Sequence, residues 1–288
     1  MISKTKKIFI TGHNGMVGSA CLKYLKEKYY NLITVSSKEL DLRNQELVYD
    51  FIEKNRPDII IHAAGKVGGI LSNKNYPYEY LYDNLQMQNN LIHGAFKFDV
   101  EKFIFMSSSC IYPKYSKQPI REEYLLSGPL EETNQWFALA KISGLKLIEA
   151  LRTQYGKNYL TLMSTNLYGP GDNYDLQNSH VLPALIRKFH EAKVKKKPHV
   201  TLWGSGKPLR EYLFIDDLVE IIEYFIENDS QKSYINVGSS FEISIKELAI
   251  IIKNHVGYEG LIKWDKTKPD GTPRKFLETS TIRDIGII

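Results

Sequence analysis

Lys7-Ile8-Phe9-Ile10-Thr11-Gly12-His13-Asn14-Gly15-Met16-Val17-Gly18 is the stretch on which the fold turns. Lys7 to Thr11 is short and apolar, so it reads as a buried strand. Gly12, Gly15 and Gly18 follow at even spacing, and Ala20, Leu22 and Leu25 then mark the apolar side of a helix. Glycines directly after a strand permit a tight turn and let backbone N–H groups approach a pyrophosphate. The helix N-terminus then favours its negative charge. Gly12, Asn14, Gly15, Met16, Val17 and Gly18 are therefore candidate cofactor contacts. The spacing is a variant of the usual dinucleotide pattern, and a plain glycine-rich turn is the competing reading. Its position at the first strand–helix junction favours the nucleotide.

Working outward, Leu32 to Val35 reads as a second strand. A fold selective for NAD ends this strand with an acid for the ribose 2′-hydroxyl. Here Ser36-Ser37-Lys38 follows, and hydroxyls beside an ammonium suit a 2′-phosphate, so NADP is expected through Ser37 and Lys38. Asp41-Leu42 lies either near the adenine or at a helix cap. Ile59 to His62 is a third strand. It runs into Ala63-Ala64-Gly65, small residues that let a cofactor pass close to the backbone. Val67 to Ile70 reads as a flexible loop, and Asn84 to Ala95 as a helix returning to a central strand at Phe103 to Met106. Alternating strands and helices with short turns predict an α/β fold with a doubly wound parallel sheet.

That central strand ends in Ser107-Ser108-Ser109-Cys110. Farther on, Thr133-Asn134 offers an N-cap for a long helix that opens Phe137-Ala138-Leu139-Ala140-Lys141 and runs to about Tyr155. Positions 137 and 141 share a helix face. A polar strand end facing an aromatic–Lys pair is the layout of a reductase site, except that its tyrosine is here a Phe. Strands follow at Leu160 to Met163, Val200 to Trp203 and Tyr234 to Val237. Helices follow at Leu182 to about Lys193 and from Phe214. The chain is expected to weave between a nucleotide-binding domain (1–170, with 213–242 returning to it) and a smaller substrate domain (171–212 and 243–288). The cleft between them is the default binding site.

Composition narrows the function classes. The chain has 288 residues, 43% hydrophobic and 25% charged, with a formal net charge of +5. This is an ordinary globular balance, suited to an anionic small molecule and not calling for nucleic acid. The lysines of 193–197 read as a solvated helix end. Two cysteines, Cys21 and Cys110, cannot form a disulfide framework and point to a reducing, cytoplasmic setting. No apolar run of about 18 residues suggests a membrane span. The seven histidines show no metal-ligand spacing, so no metal is expected.

Several runs carry a family resemblance: Gly12 to Ala20, Lys66-Val67-Gly68-Gly69-Ile70, Ser108-Ser109-Cys110-Ile111-Tyr112-Pro113-Lys114, Thr165 to Pro170, Asn178-Ser179-His180, Trp203-Gly204-Ser205-Gly206 and Lys268 to Lys275. With them the chain resembles the extended short-chain dehydrogenase/reductase family, and within it the branch that acts on sugars carried by GDP. Related dehydratases show an acidic pair where this chain has Ser109-Cys110, which counts against dehydration.

The resemblance implies reduction of a GDP-linked 4-keto sugar, a 6-deoxyhexose or a heptose, by NADPH, with inversion at C3 and C5 in some members. Ser108 matches a hydroxyl donor to the carbonyl. Lys141 matches the lysine that binds the nicotinamide ribose. Phe137 stands where the proton-donating tyrosine belongs, so this chain is expected to be impaired; the intact surroundings favour an introduced change over a natural loss. Cys110 and His180 match the acid/base groups of the inversions, against plainer readings as a buried thiol and a loop histidine. Ala63, Ala64, Gly65, Ser107, Ser164, Asn166, Leu167 and His180 match cofactor contacts beside those already named. Ser108, Asn166, Lys188, Trp203, Arg210, Asp270 and Lys275 match contacts to the GDP-sugar. Lys188 departs from the arginine usual there, and Asn14 from an arginine near the 2′-phosphate. A homodimer through the helices around 84–97 and 135–155 is implied, and the family pattern continues past 285–288 into a final helix that this sequence is expected to stop short of. Two other readings compete with the reductase: a catalytically dead nucleotide-binding protein, and a 4-epimerase holding NAD.

Overall fold

Ile8, Phe9, Ile10, Ile59, Ile60, Ile61, Phe103, Ile104 and Phe105 expose no surface. Strands apolar on both faces need helices on both faces, the condition of a parallel sheet. The computed structural model describes residues 5–29, 31–176, 179–268 and 270–286, and the backbone alone at 70 and 71. Asn178, Pro269 and the positions after 286 lie outside the described residues.

In chain order the elements are β1 (Lys7–Thr11), α1 (Met16–Leu25), β2 (Asn31–Ile33), α2 (Gln45–Asn55), β3 (Ile59–His62), α3 (Ile70–Asn75), α4 (Pro77–Lys97), β4 (Lys102–Ser108) and α5 (Gln135–Tyr155). Then come β5 (Asn158–Ser164), β6 (Asn166–Tyr168), α6 (Val181–Val194), β7 (His199–Trp203), β8 (Leu209–Phe214), α7 (Ile215–Glu227) and β9 (Tyr234–Val237). β10 (Glu242–Ser244), α8 (Ile245–Val256), β11 (Leu261–Asp265), β12 (Arg274–Lys275) and α9 (Ser280–Asp284) complete it.

Six strands form the parallel sheet β2-β1-β3-β4-β5-β9. Alternation along each strand sorts its residues between two cores. Ile8 and Ile10 pack with Cys21 and Leu25 of α1 and with Leu218, Ile221 and Phe225 of α7. Phe9 faces the other way, among Val48 and Ile52 of α2, Leu91 of α4 and Ile148 of α5. The chain leaves β1 toward β2 on one side and crosses to β3 on the other. That reversal opens a crevice at the carboxyl ends of the strands, where doubly wound sheets bind ligands. Above it, β8 pairs with β6, β10 and β12, and β7 pairs with β11. α6 and α8 pack there through Leu185, Phe189, Leu248 and Ile252.

Local chemistry explains where the elements differ from their sequence periods. α4 begins at Pro77, not near Asn84, because Pro supplies the helical φ at a first-turn position that has no carbonyl to bond. β2 stops at Ile33 rather than Val35. The expected loop at 67–70 runs directly into the short helix α3. Asn44, not Asp41, caps α2, its side chain accepting the N–H of Leu47 at 3.1 Å. Asn134 holds the N-cap position of α5, but neither it nor Thr133 caps with its side chain. Thr133 is turned instead to the Glu131 carboxylate. No helix among the described residues is long and apolar enough to cross a membrane.

Candidate active site

The glycine turn after β1 is shaped by exclusion. Gly12 has φ +71°, and a Cβ there would lie 2.8 Å from the backbone of Ala64. A Cβ at Gly18 would lie 2.2 Å from the Gly12 carbonyl oxygen. Three backbone segments therefore meet with no room for a side chain. Gly15 occupies the N-cap of α1 with no side-chain bond, so the first N–H groups of that helix keep free donors. Met16 and Val17 turn their side chains into the core and offer backbone only. Ala63 and Ala64 line the end of β3, where Ala64 N–H donates to Thr11 Oγ1 at 3.2 Å. Ser107 ends in a buried hydroxyl oxygen with no partner among the described residues. A cradle that Cβ atoms would fill, an open helix N-terminus and an orphaned hydroxyl together fit a dinucleotide.

Ser37 and Lys38 lie exposed on the turn after β2. Beside them, the Ser36 hydroxyl donates to Glu39 at 2.7 Å, an acid that stands close to the expected 2′-phosphate side. The Asp41 carboxylate accepts from Arg43 at 2.9 Å, which holds its pKa below the usual range. The Leu42 carbonyl accepts from Asn90 at 3.0 Å and its side chain joins the core.

Lys141 is buried beneath the end of β4. Its Nζ donates to the Met106 carbonyl at 2.9 Å and lies 4.5 Å from the Phe105 ring centre and 5.7 Å from that of Phe137. Removal from water pushes its pKa down to about 8, with the Cys110 thiol opposing. Phe137 is 8% exposed and meets Tyr80 edge-on at 6.5 Å. It presents no polar atom to the crevice. Ser108 is half-buried; its Oγ accepts the Cys110 N–H at 3.4 Å, and its hydroxyl also meets the Cys110 thiol. Ser164 donates to the Ser107 carbonyl at 3.2 Å.

Cys110 lies in a cavity wall with Asn134, Arg274 and Lys275. Burial pushes its thiol up, while Lys275 and Lys141 pull it back. Burial pushes Lys275 down. His180 stands at the N-cap of α6 and lines a second cavity with Asn166, Leu167, Arg210 and Tyr212. The residue is exposed at its surface, yet desolvation by the surrounding protein lowers its pKa, Asp172 opposing and Lys275 adding. Lys275, in the wall of the first cavity, thus acts on both Cys110 and His180.

Farther out, Trp203 is 60% exposed, with Lys188 and Lys268 each 5.6 Å from its ring centre. Burial lowers the pKa of Lys188 and of Arg210. Asp270 takes the Ser205 N–H at 2.6 Å and hydroxyl at 2.7 Å, so it ties two loops together beside Arg210. Asn166 donates to the Glu211 carbonyl at 2.8 Å.

Three residues of this region were not singled out by spacing or motif. Asn84 clamps the segment after β3, exchanging bonds with Lys66 N–H at 2.9 Å and Lys66 carbonyl at 3.1 Å. Asp172 faces His180, and one of its buried carboxylate oxygens has no hydrogen-bond partner among the described residues. Glu211 is a fully buried acid on β8. A lone acid in a strand pattern was the one available signal for the last of these. Among the described residues no cluster of His, Cys, Asp or Glu could hold a metal ion.

Comparison with known proteins follows the same geometry. The NAD dependent epimerase/dehydratase family matches residues 8–238, from β1 to the end of β9. The chain is 50% identical to a GDP-L-fucose synthase of Sinorhizobium fredii, across 98% of this chain and 90% of that protein. It is similar to the crystal structure of a GDP-6-OMe-4-keto-L-xylo-heptose reductase from C. jejuni, with a TM-score of 0.94 and 34% identity over 99% of this chain and 93% of that one. A GDP-mannoheptose C4 reductase from Campylobacter jejuni, solved with NADP bound, matches with a TM-score of 0.90 and 34% identity, over 99% of this chain and 94% of that one. The chain belongs to the NAD dependent epimerase/dehydratase family.

Proposed function

We propose that this chain reduces the C4 ketone of a GDP-linked 4-keto sugar with NADPH. The observation that carries the reading is the side-chain-free glycine cradle opening onto the buried Lys141 ammonium at the end of β4. The named relatives act on GDP-sugars, and one solved relative holds NADP. The cradle and the α1 N-terminus hold the pyrophosphate, with Ser37 and Lys38 toward the 2′-phosphate. When bound, the nicotinamide supplies the hydride. Ser108 donates a hydrogen bond to the sugar O4, where negative charge develops. Lys141 orients the ribose and brings positive charge to the same corner. Phe137 cannot give a proton, so water must supply it, and turnover is slow.

Cys110 and His180 suit removal and return of the acidic protons flanking the ketone, with Lys275 adding positive charge beside both. Arg210, Lys188 and Trp203 hold the GDP, and Asp270 braces Arg210. Residues 1–170 with 213–242 act as the nucleotide domain, and 171–212 with 243–288 as the substrate domain. Exposed Tyr78, Tyr82, Trp136 and Leu139 on α4 and α5 suit a homodimer face. A second reading, C4 reduction alone on a GDP-4-keto-heptose, is favoured by the heptose reductase at TM-score 0.94.

The test is NADPH oxidation by the Phe137→Tyr variant on GDP-4-keto-6-deoxyhexose and GDP-4-keto-heptose, run in D₂O. Turnover with deuterium entering C3 or C5 supports the full reading. Turnover with both positions unlabelled supports reduction alone. No oxidation on either sugar sinks the proposal.

A further inference from the structure

Glu211 sits in the middle of β8 with 0% exposure and no salt bridge among the described residues. Its carboxylate is held by backbone: Ser240 N–H donates to Oε1 at 2.9 Å and Leu277 N–H to Oε2 at 3.1 Å. Ser240 adopts φ +60°, a left-handed turn that aims its N–H inward. Gly238 leaves the space the acid needs, since a Cβ there would lie 2.4 Å from Oε1. The Glu211 carbonyl accepts Thr165 Oγ1 at 3.0 Å and Asn166 Nδ2 at 2.8 Å. One residue therefore joins the end of β9, the segment after β12 and the start of β6. Strand alternation points Arg210 to the opposite face from Glu211. Arg210 is paired in register with Lys275, and Tyr212 with Asn166.

We propose that Glu211 is a positioning residue for the substrate half of the cleft: its carboxylate latches β8 to the 238–240 turn and to Leu277, so that Arg210 and Lys275 stand abreast. The proposal rests on the GDP-sugar reading above. Glu211→Gln places an NH₂ group against one of the two N–H donors and opens one side of the latch. Glu211→Asp, one methylene shorter, keeps the charge and recovers part of the grip.

The experiment measures GDP and NADPH affinity by calorimetry for the unchanged full chain, Glu211→Gln, Glu211→Asp, Arg210→Ala and the Glu211→Gln/Arg210→Ala double variant. Glu211→Gln is expected to weaken GDP by about 10-fold, the scale of one hydrogen bond to a charged group, and to leave NADPH unchanged. Glu211→Asp is expected to fall between it and the unchanged chain. The double variant is expected to bind GDP no worse than Arg210→Ala alone, because the effect passes through Arg210. Additive losses, or equal losses for both ligands, overturn the proposal. If Glu211→Gln does not fold, Gly238→Ala, which crowds the carboxylate while keeping its charge, is read by the same criteria. Failure of the unchanged chain to bind GDP counts against the functional reading itself, whereas GDP binding insensitive to Glu211 counts only against the latch.

Discussion

Gly12, Gly18 and Ala64 on one side of the proposed cleft, and Lys188, Trp203 and Arg210 on the other, are built by opposite means. The first group works by absence: backbone approaches backbone because no Cβ intervenes. The second works by reach: long cationic side chains and an exposed indole project from α6, β7 and β8. A backbone cradle is preorganised by the same hydrogen bonds that build the sheet, and it has no room for a Cβ at Gly12 or Gly18. A side-chain clamp is adjustable and can be retuned one residue at a time. The difference suits a cofactor common to a family and a sugar that varies within it.

The largest effect is expected where there is no slack. Gly18→Ala places a methyl 2.2 Å from the Gly12 carbonyl oxygen, so the turn must open. NADPH binding measured by fluorescence titration should be lost, while GDP binding, on the far side, should persist. Equal loss of both ligands would show that the two halves are one unit.

At the seam between the halves, Phe137→Tyr restores a proton donor beside Lys141. The expected gain in kcat is ~10²–10⁴-fold with little change in KM, since the phenol acts as charge develops. Steady-state NADPH oxidation on one 4-keto sugar is the measurement. Equal rates for the two forms would remove position 137 from the site.

Lys141 allows a test without substrate. Its folded pKa of about 8 lies below the ordinary lysine value of 10.5. The unfolded chain therefore binds the extra proton between those values, and stability contributed by this group rises from pH 8 to 10.5. Below pH 8 the buried charge costs on the order of 3 kcal/mol at most. Relative to the unchanged chain, Lys141→Met should be most stabilised at pH 7 and should lose that advantage by pH 10.5. Urea midpoints at the two pH values check it, and a pH-independent difference would mean that the lysine is not desolvated.

The same contrast explains what the sequence made legible. The strands at 7–11, 59–62 and 102–108 announce themselves through apolar runs, and the glycine turn through spacing, because both are local. Phe137 and Lys141 are tied by helical period, so their pairing was readable too. Cys110, Lys275 and His180 lie far apart in the chain, and only motif resemblance linked them. Glu211 and Asn84 act on backbone groups distant in sequence, and a lone acid in the strand pattern at Glu211 was the one hint of either. The N-cap of the long helix was legible at Asn134, but not that its side chain makes no cap bond, because cap preference describes what a residue can do rather than what it does.

The smallest effect is expected at Lys188, on the adjustable side. Its ammonium lies 5.6 Å from the Trp203 ring centre, and burial lowers its pKa. No salt bridge holds it among the described residues, whereas the adjacent Arg187 is paired with Glu191 at 2.8 Å. Lysine offers a diphosphate a point charge; arginine offers a planar fork with two parallel donors and keeps its charge when desolvated. Lys188→Arg should therefore tighten GDP by about 3- to 10-fold, roughly one added charge-assisted hydrogen bond, and leave NADPH affinity unchanged. Calorimetric titration of both ligands reads the result. Weaker GDP binding would mean that Lys188 meets the ligand through its aliphatic stem rather than its charge. A parallel change in NADPH affinity would mean that the clamp and the cradle are mechanically joined.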